Sequence, residues 1–208
     1  MPSIKIIVVD DHKLFRDGLT ALIDKHEDLD VIASLEDGVK LFEALIDNNP
    51  DIVLLDLSMP NMNGFDVLKK LKKEFKTIKA IAISMHDDGN YIARCAKLGA
   101  QGYLLKNTDE QELTTAIREV YEGNKYFSQE ISTKMIDSLS ETNSIKKFTK
   151  KETEIIKLLA KGFTTKEIAT KLYVSTRTVE THRSNMLKKL KVKNTVELIN
   201  KAKSLDLI

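Results

Sequence analysis

Ile4-Lys5-Ile6-Ile7-Val8-Val9 runs without a break into Asp10-Asp11. A β-branched apolar run of this length reads as a strand buried on both faces, the kind found in parallel sheets. A second run, Ile52-Val53-Leu54-Leu55, ends the same way in Asp56. Open α/β sheets gather their ligands at the carboxyl ends of the strands, so three acidic side chains are expected to converge there. Such a trio repels itself unless a cation joins it, and hard carboxylate oxygens suit Mg²⁺.

Outward from these two runs, strand and helix patterns alternate. Strands are predicted at 4–9, 29–35, 52–55, 79–83 and 101–105. Helices are predicted at 12–25, 37–48, 64–75, 87–98 and 109–121. Strands separated by single helices imply a five-stranded, doubly wound parallel α/β sheet with helices on both faces. Thr108-Asp109-Glu110-Gln111 is a capping-box pattern for the last of these helices, and Gly123-Asn124 is its stop signal.

Three segments follow from this reading: a first domain over 1–122, a linker over 123–146 and a second domain over 147–208. The linker has room for a short helix over 128–139, with Ile131, Met135, Ile136 and Leu139 on one side. The second domain reads as four helices. Thr149-Lys150-Lys151-Glu152 and Thr164-Thr165-Lys166-Glu167 are capping boxes, Ser175 caps a third helix to about Leu190, and Asn194 caps a fourth.

The chain has 208 residues, 42% of them hydrophobic, enough for ordinary cores in one or two domains. No apolar stretch is long enough to span a bilayer, and the start lacks the features of a signal peptide. Cys95 is the only cysteine, which fits a reducing compartment and a core position on a helix. A cytoplasmic protein without a membrane partner is expected. The net charge of +2 conceals an asymmetry: residues 148–208 carry 14 Lys and Arg against 6 Asp and Glu, a net +8. The remainder carries 19 against 25, a net −6. A basic second part is a plausible nucleic-acid binder, although solvated basic faces are common.

Asp56 stands alone at its strand end and is the candidate nucleophile toward phosphorus, forming an acyl phosphate. Asp10 and Asp11 are the metal-site candidates. Ser84, after Ala80-Ile81-Ala82-Ile83, offers a hydroxyl, and Lys106, after Tyr103-Leu104-Leu105, an ammonium for the phosphoryl oxygens. Read singly, each has a plainer meaning, because an Asp pair can cap a helix and a Ser or Lys can belong to a turn. In combination, four strand ends each supply a complementary group.

Asp10-Asp11, Asp56 with Met59-Pro60 and Gly64, Ser84 and Lys106 together resemble the receiver domain of bacterial two-component response regulators, over roughly residues 3–122. The resemblance implies a sensor histidine kinase that phosphorylates Asp56. It implies Mg²⁺ held by Asp11, Asp56 and the Ser58 backbone carbonyl, with Asp10 acting largely through water. Lys106 would pair with the phosphoryl group, Ser84 would move toward it, and Tyr103 would turn inward as a switch residue. Neither His12 nor His86 is catalytic in that family's pattern.

In the second domain, 165–172 and 176–190 read as a helix-turn-helix, whose second helix enters the major groove. By periodicity alone that helix is equally an amphipathic bundle helix. Phe148-Thr149-Lys150-Lys151-Glu152, Gly162 to Ala169 and Val174 to His182 resemble the four-helix DNA-binding domain named for LuxR, NarL and FixJ. The resemblance implies base-edge contacts from Glu180, Thr181 and Ser184. It implies phosphate contacts from Lys166, Thr176, Thr178, His182 and Lys188, and a dimer surface at Val196, Leu198 and Ile199. Lys191 stands where Gly commonly ends the recognition helix. The reading is a regulator that dimerises on activation and binds double-stranded promoter DNA. Two rivals stay open: a constitutive DNA binder with a non-signalling receiver, and an Asp-dependent phosphatase.

Overall fold

The computed structural model describes residues 3–144, 148–204 and 207–208. The chain divides into two compact units, Met1–Ile136 and Asp137–Ile208. In the first, strands and helices alternate as β1 (Ile4–Val9), α1 (Lys13–Ile23), β2 (Leu29–Leu35), α2 (Gly38–Ala44), β3 (Ile52–Asp56), α3 (Gly64–Glu74), β4 (Lys79–Ser84), α4 (Gly89–Leu98), β5 (Gly102–Leu105) and α5 (Glu110–Glu122). Then come β6 (Tyr126–Phe127) and α6 (Gln129–Ser144). The sheet order is β2-β1-β3-β4-β5-β6, and every pair is parallel. The chain order reverses direction at β1, which lies between β2 and β3. The ends of β1 and β3 therefore meet beside a crevice, where such sheets bind ligands.

Side-chain parity builds two cores. Ile7, Val9, Val53, Leu55, Ala80, Ala82 and Tyr103 face one way, onto Leu41, Val67, Leu68, Ile92 and Cys95 of α2–α4. Ile6, Val8, Ile52, Leu54, Ile81, Ile83 and Leu104 face the other way, onto Leu19 and Ile23 of α1 and Leu113 and Ile117 of α5. Strand residues alternate faces, so continuous apolar runs are what a sheet covered on both sides requires. Cys95 is fully buried, and burial pushes its thiol up to about 12, which suits a core residue and not a redox centre.

Three expectations are corrected. The sheet has six strands, not five, because Tyr126–Phe127, inside the expected linker, pairs with Gly102 and Tyr103. A two-residue strand carries too little periodicity to be read from sequence. The α5 cap is Asp109, whose carboxylate accepts from the Glu112 N–H at 2.8 Å, not Thr108. The helix expected at 128–139 extends over Gln129–Ser144. Ile131 is buried and Met135 packs on the same core, whereas Ile136 and Leu139 are exposed.

The second unit contains α7 (Lys150–Ala160), α8 (Thr165–Lys171), α9 (Thr176–Leu190) and α10 (Thr195–Ser204). Both predicted capping boxes form, at Thr149/Glu152 and Thr164/Glu167. Asn194 accepts from the Glu197 N–H at 2.9 Å, as a cap should. Lys191 closes α9 in the left-handed conformation, φ 52° and ψ 44°, doing a glycine's work with a side chain. Ile155, Ile156, Ile168, Val179, Met186, Leu190 and Leu198 form the core.

One ion pair sits at the edge of that core. Glu152, 3% exposed, meets the Lys189 ammonium at 2.6 Å while its carboxylate also accepts the Thr149 N–H. Burial acts to raise its pKa, but Lys189 and Thr149 outweigh burial and hold the carboxyl below its usual range. A depressed carboxyl contributes stability above its unfolded pKa and loses it as pH falls through the folded value. Glu152→Ala is expected to destabilise the second unit by about 2–4 kcal/mol near neutral pH. Hydrogen exchange of α7 and α9 amides in the full chain measures this, and the gap between wild type and variant should narrow below about pH 4.3.

Candidate functional site

The ends of β1, β3, β4 and β5 converge as predicted. Asp10 and Asp56 are both 2% exposed, and Ser84 is fully buried. The Lys106 ammonium lies between the two carboxylates, 2.7 Å from Asp10 Oδ2 and 3.1 Å from Asp56 Oδ2. Burial opposes the ammonium, and Asp10 and Asp56 outweigh it, so the Lys106 pKa lies above the ordinary lysine value. Burial, then the Asp10 carboxylate, raises the Asp56 carboxyl, against the Ser58 N–H and Lys106.

Each group is held by local structure. The His12 N–H donates to Asp10 Oδ1 at 2.8 Å, which ties Asp10 to the residue that opens α1. The Ser58 N–H donates to Asp56 Oδ1 at 3.2 Å. The Lys106 N–H donates to the Ser84 carbonyl at 2.9 Å, which sets β5 beside β4. Tyr103 is inside, its hydroxyl donating to the His86 carbonyl at 2.5 Å, and burial raises its pKa.

Asp10 Oδ2, Asp11 Oδ1 and Asp56 Oδ2 are buried and lack a hydrogen bond of good geometry among the described residues. Asp10 Oδ2 and Asp56 Oδ2 face Lys106, and Asp11 Oδ1 faces His12, so three carboxylates share one ammonium and one imidazole. With His12 they form a group whose ligand atoms all lie within 4.8 Å of one another. That spacing and those hard oxygens fit one divalent cation.

The α9 helix presents a separate face. Thr176, Glu180, Thr181, Ser184 and Lys188 are exposed, as is Lys166 of α8, while Thr178 and His182 are half-buried. The Thr178 hydroxyl is 2.8 Å from Ser175 Oγ, and the Thr181 hydroxyl donates to the Arg177 carbonyl at 2.9 Å. Both therefore have partners within the helix start. Of the three residues expected at a dimer surface, Leu198 is wholly buried and Ile199 packs against the core, leaving Val196 exposed. The apolar stripe of α10 is spent mainly inside the unit.

Two family profiles cover most of the chain: "Response regulator receiver domain" at residues 6–118 and "Bacterial regulatory proteins, luxR family" at residues 146–202. The chain is 35% identical to the oxygen regulatory protein NreC of Staphylococcus epidermidis, covering 95% of this chain and 96% of NreC. It is 36% identical to NreC of Staphylococcus aureus, with the same coverage. The chain belongs to the NarL-type response regulators. It is a DNA-binding response regulator of a two-component system. Among solved structures, RcsB of Salmonella enterica serovar Typhimurium, bound to a promoter in the presence of the phosphomimetic BeF₃⁻, matches with a TM-score of 0.77 at 26% identity. That match covers 98% of this chain and 99% of RcsB. ChrA, the response regulator of a heme-sensing two-component system, matches with a TM-score of 0.59 at 28% identity over all of both chains.

In this response regulator two residues near the site, Arg16 and Tyr91, escaped sequence reasoning, and the contact of a third, His12, could not be read from it. His12 Nδ1 lies 2.9 Å from Asp11 Oδ1. Arg16 is buried and donates to the Asp10 carbonyl. Its signal was available: Arg16 shares the stripe of Leu19 and Ile23, where a charge needs a partner. Tyr91 packs edge-on to Phe65 at 4.8 Å and tilts against His86 at 4.7 Å. It comes from a helix whose approach no local pattern encodes.

Gly64 has no room for a side chain. A Cβ there would lie 2.5 Å from the Asp56 carbonyl oxygen and 2.6 Å from Leu57 Cα, both backbone atoms. Gly64→Ala is expected to cost about 1–3 kcal/mol through overpacking, read by urea unfolding of the full chain, with a shift of the Asp56 backbone resonances.

Proposed function

We propose that Asp56 is the phosphoacceptor of a switch that controls promoter binding. A sensor histidine kinase supplies the phosphoryl group. An Asp56 carboxylate oxygen bonds to phosphorus as the bond from phosphorus to the donor breaks, giving an acyl phosphate. The observation that supports this most is the Lys106 ammonium shared by the buried Asp10 and Asp56 carboxylates, with Asp11 beside them. With three carboxylates facing one ammonium, the pocket has room for added positive charge, and a divalent cation would let it take a phosphoryl group.

Mg²⁺, bound by Asp11, Asp56 and the Ser58 carbonyl with Asp10 acting through water, would neutralise charge on the phosphoryl oxygens. Lys106 would turn from Asp56 to a phosphoryl oxygen, and the Ser84 hydroxyl would donate to another. Tyr103 would report the state of Ser84 to the surface. The acyl phosphate would be lost by hydrolysis at the same site, without turnover of an external substrate. We assign residues 1–122 to the receiver, 123–146 to the connecting segment and 147–208 to DNA binding, in a cytoplasmic protein.

Phosphorylation would favour a homodimer on double-stranded promoter DNA; RcsB is seen as dimers on DNA, and on a promoter in the presence of a phosphomimetic. Two linked domains on paired half-sites gain affinity through effective concentration. Glu180, Thr181 and Ser184 would face base edges, while Lys166, Thr176, Thr178, His182 and Lys188 would approach phosphates. The net charge of +8 over residues 148–208 supplies the attraction.

Asp56→Ala is expected to abolish labelling by acetyl phosphate in the presence of Mg²⁺, and retention of full labelling would refute the nucleophile. On a selected operator, Lys188→Ala should weaken binding evenly across sequences and reduce the salt slope by about 0.9. Glu180→Ala should instead relax discrimination at one base position by about 1–3 kcal/mol.

A further inference from the structure

The loop between β4 and α4, residues 85–88, is tied from more than one side. The His86 N–H donates to Ser84 Oγ at 3.2 Å, and the His86 carbonyl accepts the Tyr103 hydroxyl at 2.5 Å. The next residue, Asp87, meets the Lys134 ammonium of α6 at 2.7 Å. Lys134 is steadied by Glu130, one turn back, also at 2.7 Å.

The start of α6 belongs to the first unit. The Ser132 N–H donates to the Ser128 carbonyl at 2.8 Å, and the Ser132 hydroxyl to the Phe127 carbonyl at 3.1 Å, which joins α6 to β6. Ile131, 3% exposed, lies in the same apolar cluster as Tyr103, with Met135 packed against it. One face of α6 therefore touches the core behind Tyr103, and Lys134 grips the loop after Ser84.

Ser84 Oγ accepts the His86 N–H, which leaves the Ser84 proton as the donor its hydroxyl can offer to an incoming phosphoryl oxygen, with the Tyr91 and Tyr103 hydroxyls also close to that side chain. The direction of that donor depends on where His86 sits, and His86 is adjacent to Asp87. We propose that Lys134 is a positioning residue for phosphoryl transfer at Asp56: by holding Asp87 it fixes the loop that aims the Ser84 hydroxyl. The inference rests on Asp56 being the phosphoacceptor. It makes the docking of α6 and the phosphorylation of Asp56 mutually favourable, since coupling between two sites is reciprocal.

The test uses the full chain with Mg²⁺ and acetyl phosphate, following acyl-phosphate formation by intact mass alongside thermal melting. Lys134→Ala is expected to slow labelling by about two- to five-fold, the scale of a lost exposed ion pair, with an unchanged melting temperature. Lys134→Arg should restore the wild-type rate. Asp87→Asn should match Lys134→Ala, and combining the two should slow labelling no further; Asp88, not Asp87, caps α4, so that helix is undisturbed. Exchanging the charges, Asp87→Lys with Lys134→Asp, should recover part of the loss. Wild-type rates in Lys134→Ala, losses that multiply in the double variant, or a rate loss that tracks a lower melting temperature would overturn the inference alone. Wild-type protein that takes no label, or Asp56→Asn that takes it, would overturn the reading of the site and this inference with it.

Discussion

Two carboxylates and one ammonium, all nearly shut off from water, set the terms for the first unit. Asp10 and Asp56 would repel each other across the β1–β3 boundary, and Lys106 offsets that repulsion by lying between them. Removing one partner of a buried charge group leaves the others uncompensated, which is costly. The three strands that bring these residues together must therefore keep their register. Their apolar faces supply the rigidity: strand parity assigns each residue to one of two cores, and a slip of one residue would exchange them.

The second unit rests on a smaller version of the same device. Glu152 closes the first turn of α7 and at the same time pairs with Lys189 near the end of α9. One carboxylate thus satisfies a helix terminus and joins two helices, which frees the opposite side of α9. The exposed polar residues of α9 are then available for DNA because its apolar ones are committed to the core. The hydroxyls of Thr178 and Thr181 also have partners at the start of α9.

Legibility differed by the range of the interaction. Five strands and their intervening helices could be read because continuous apolar runs and the 3.6-residue period are local patterns. The capping boxes at Thr149 and Thr164 could be read because both partners lie within one turn. The Asp109 cap was misplaced by one residue, as two neighbouring side chains could each have capped that helix. β6 was missed because its two residues owe their strand pairing to Gly102 and Tyr103, far back along the chain. At α10 the core takes Leu198 and Ile199 and leaves Val196 exposed, a division that an apolar stripe alone does not encode.

The sequence by itself determined which chemical groups stand at the strand ends, since a buried strand can finish in Asp, Ser or Lys only where another group or water receives it. It also determined the change from a sheet to a helical unit, and the acidic-to-basic change that accompanies it. The tertiary structure alone decided that Lys106 lies between Asp10 and Asp56, that Arg16 turns into the core, and that α6 reaches back to Asp87. These contacts join residues far apart along the chain. Their free energies depend on distance and burial, and neither quantity exists until the two ends of the chain have been brought together.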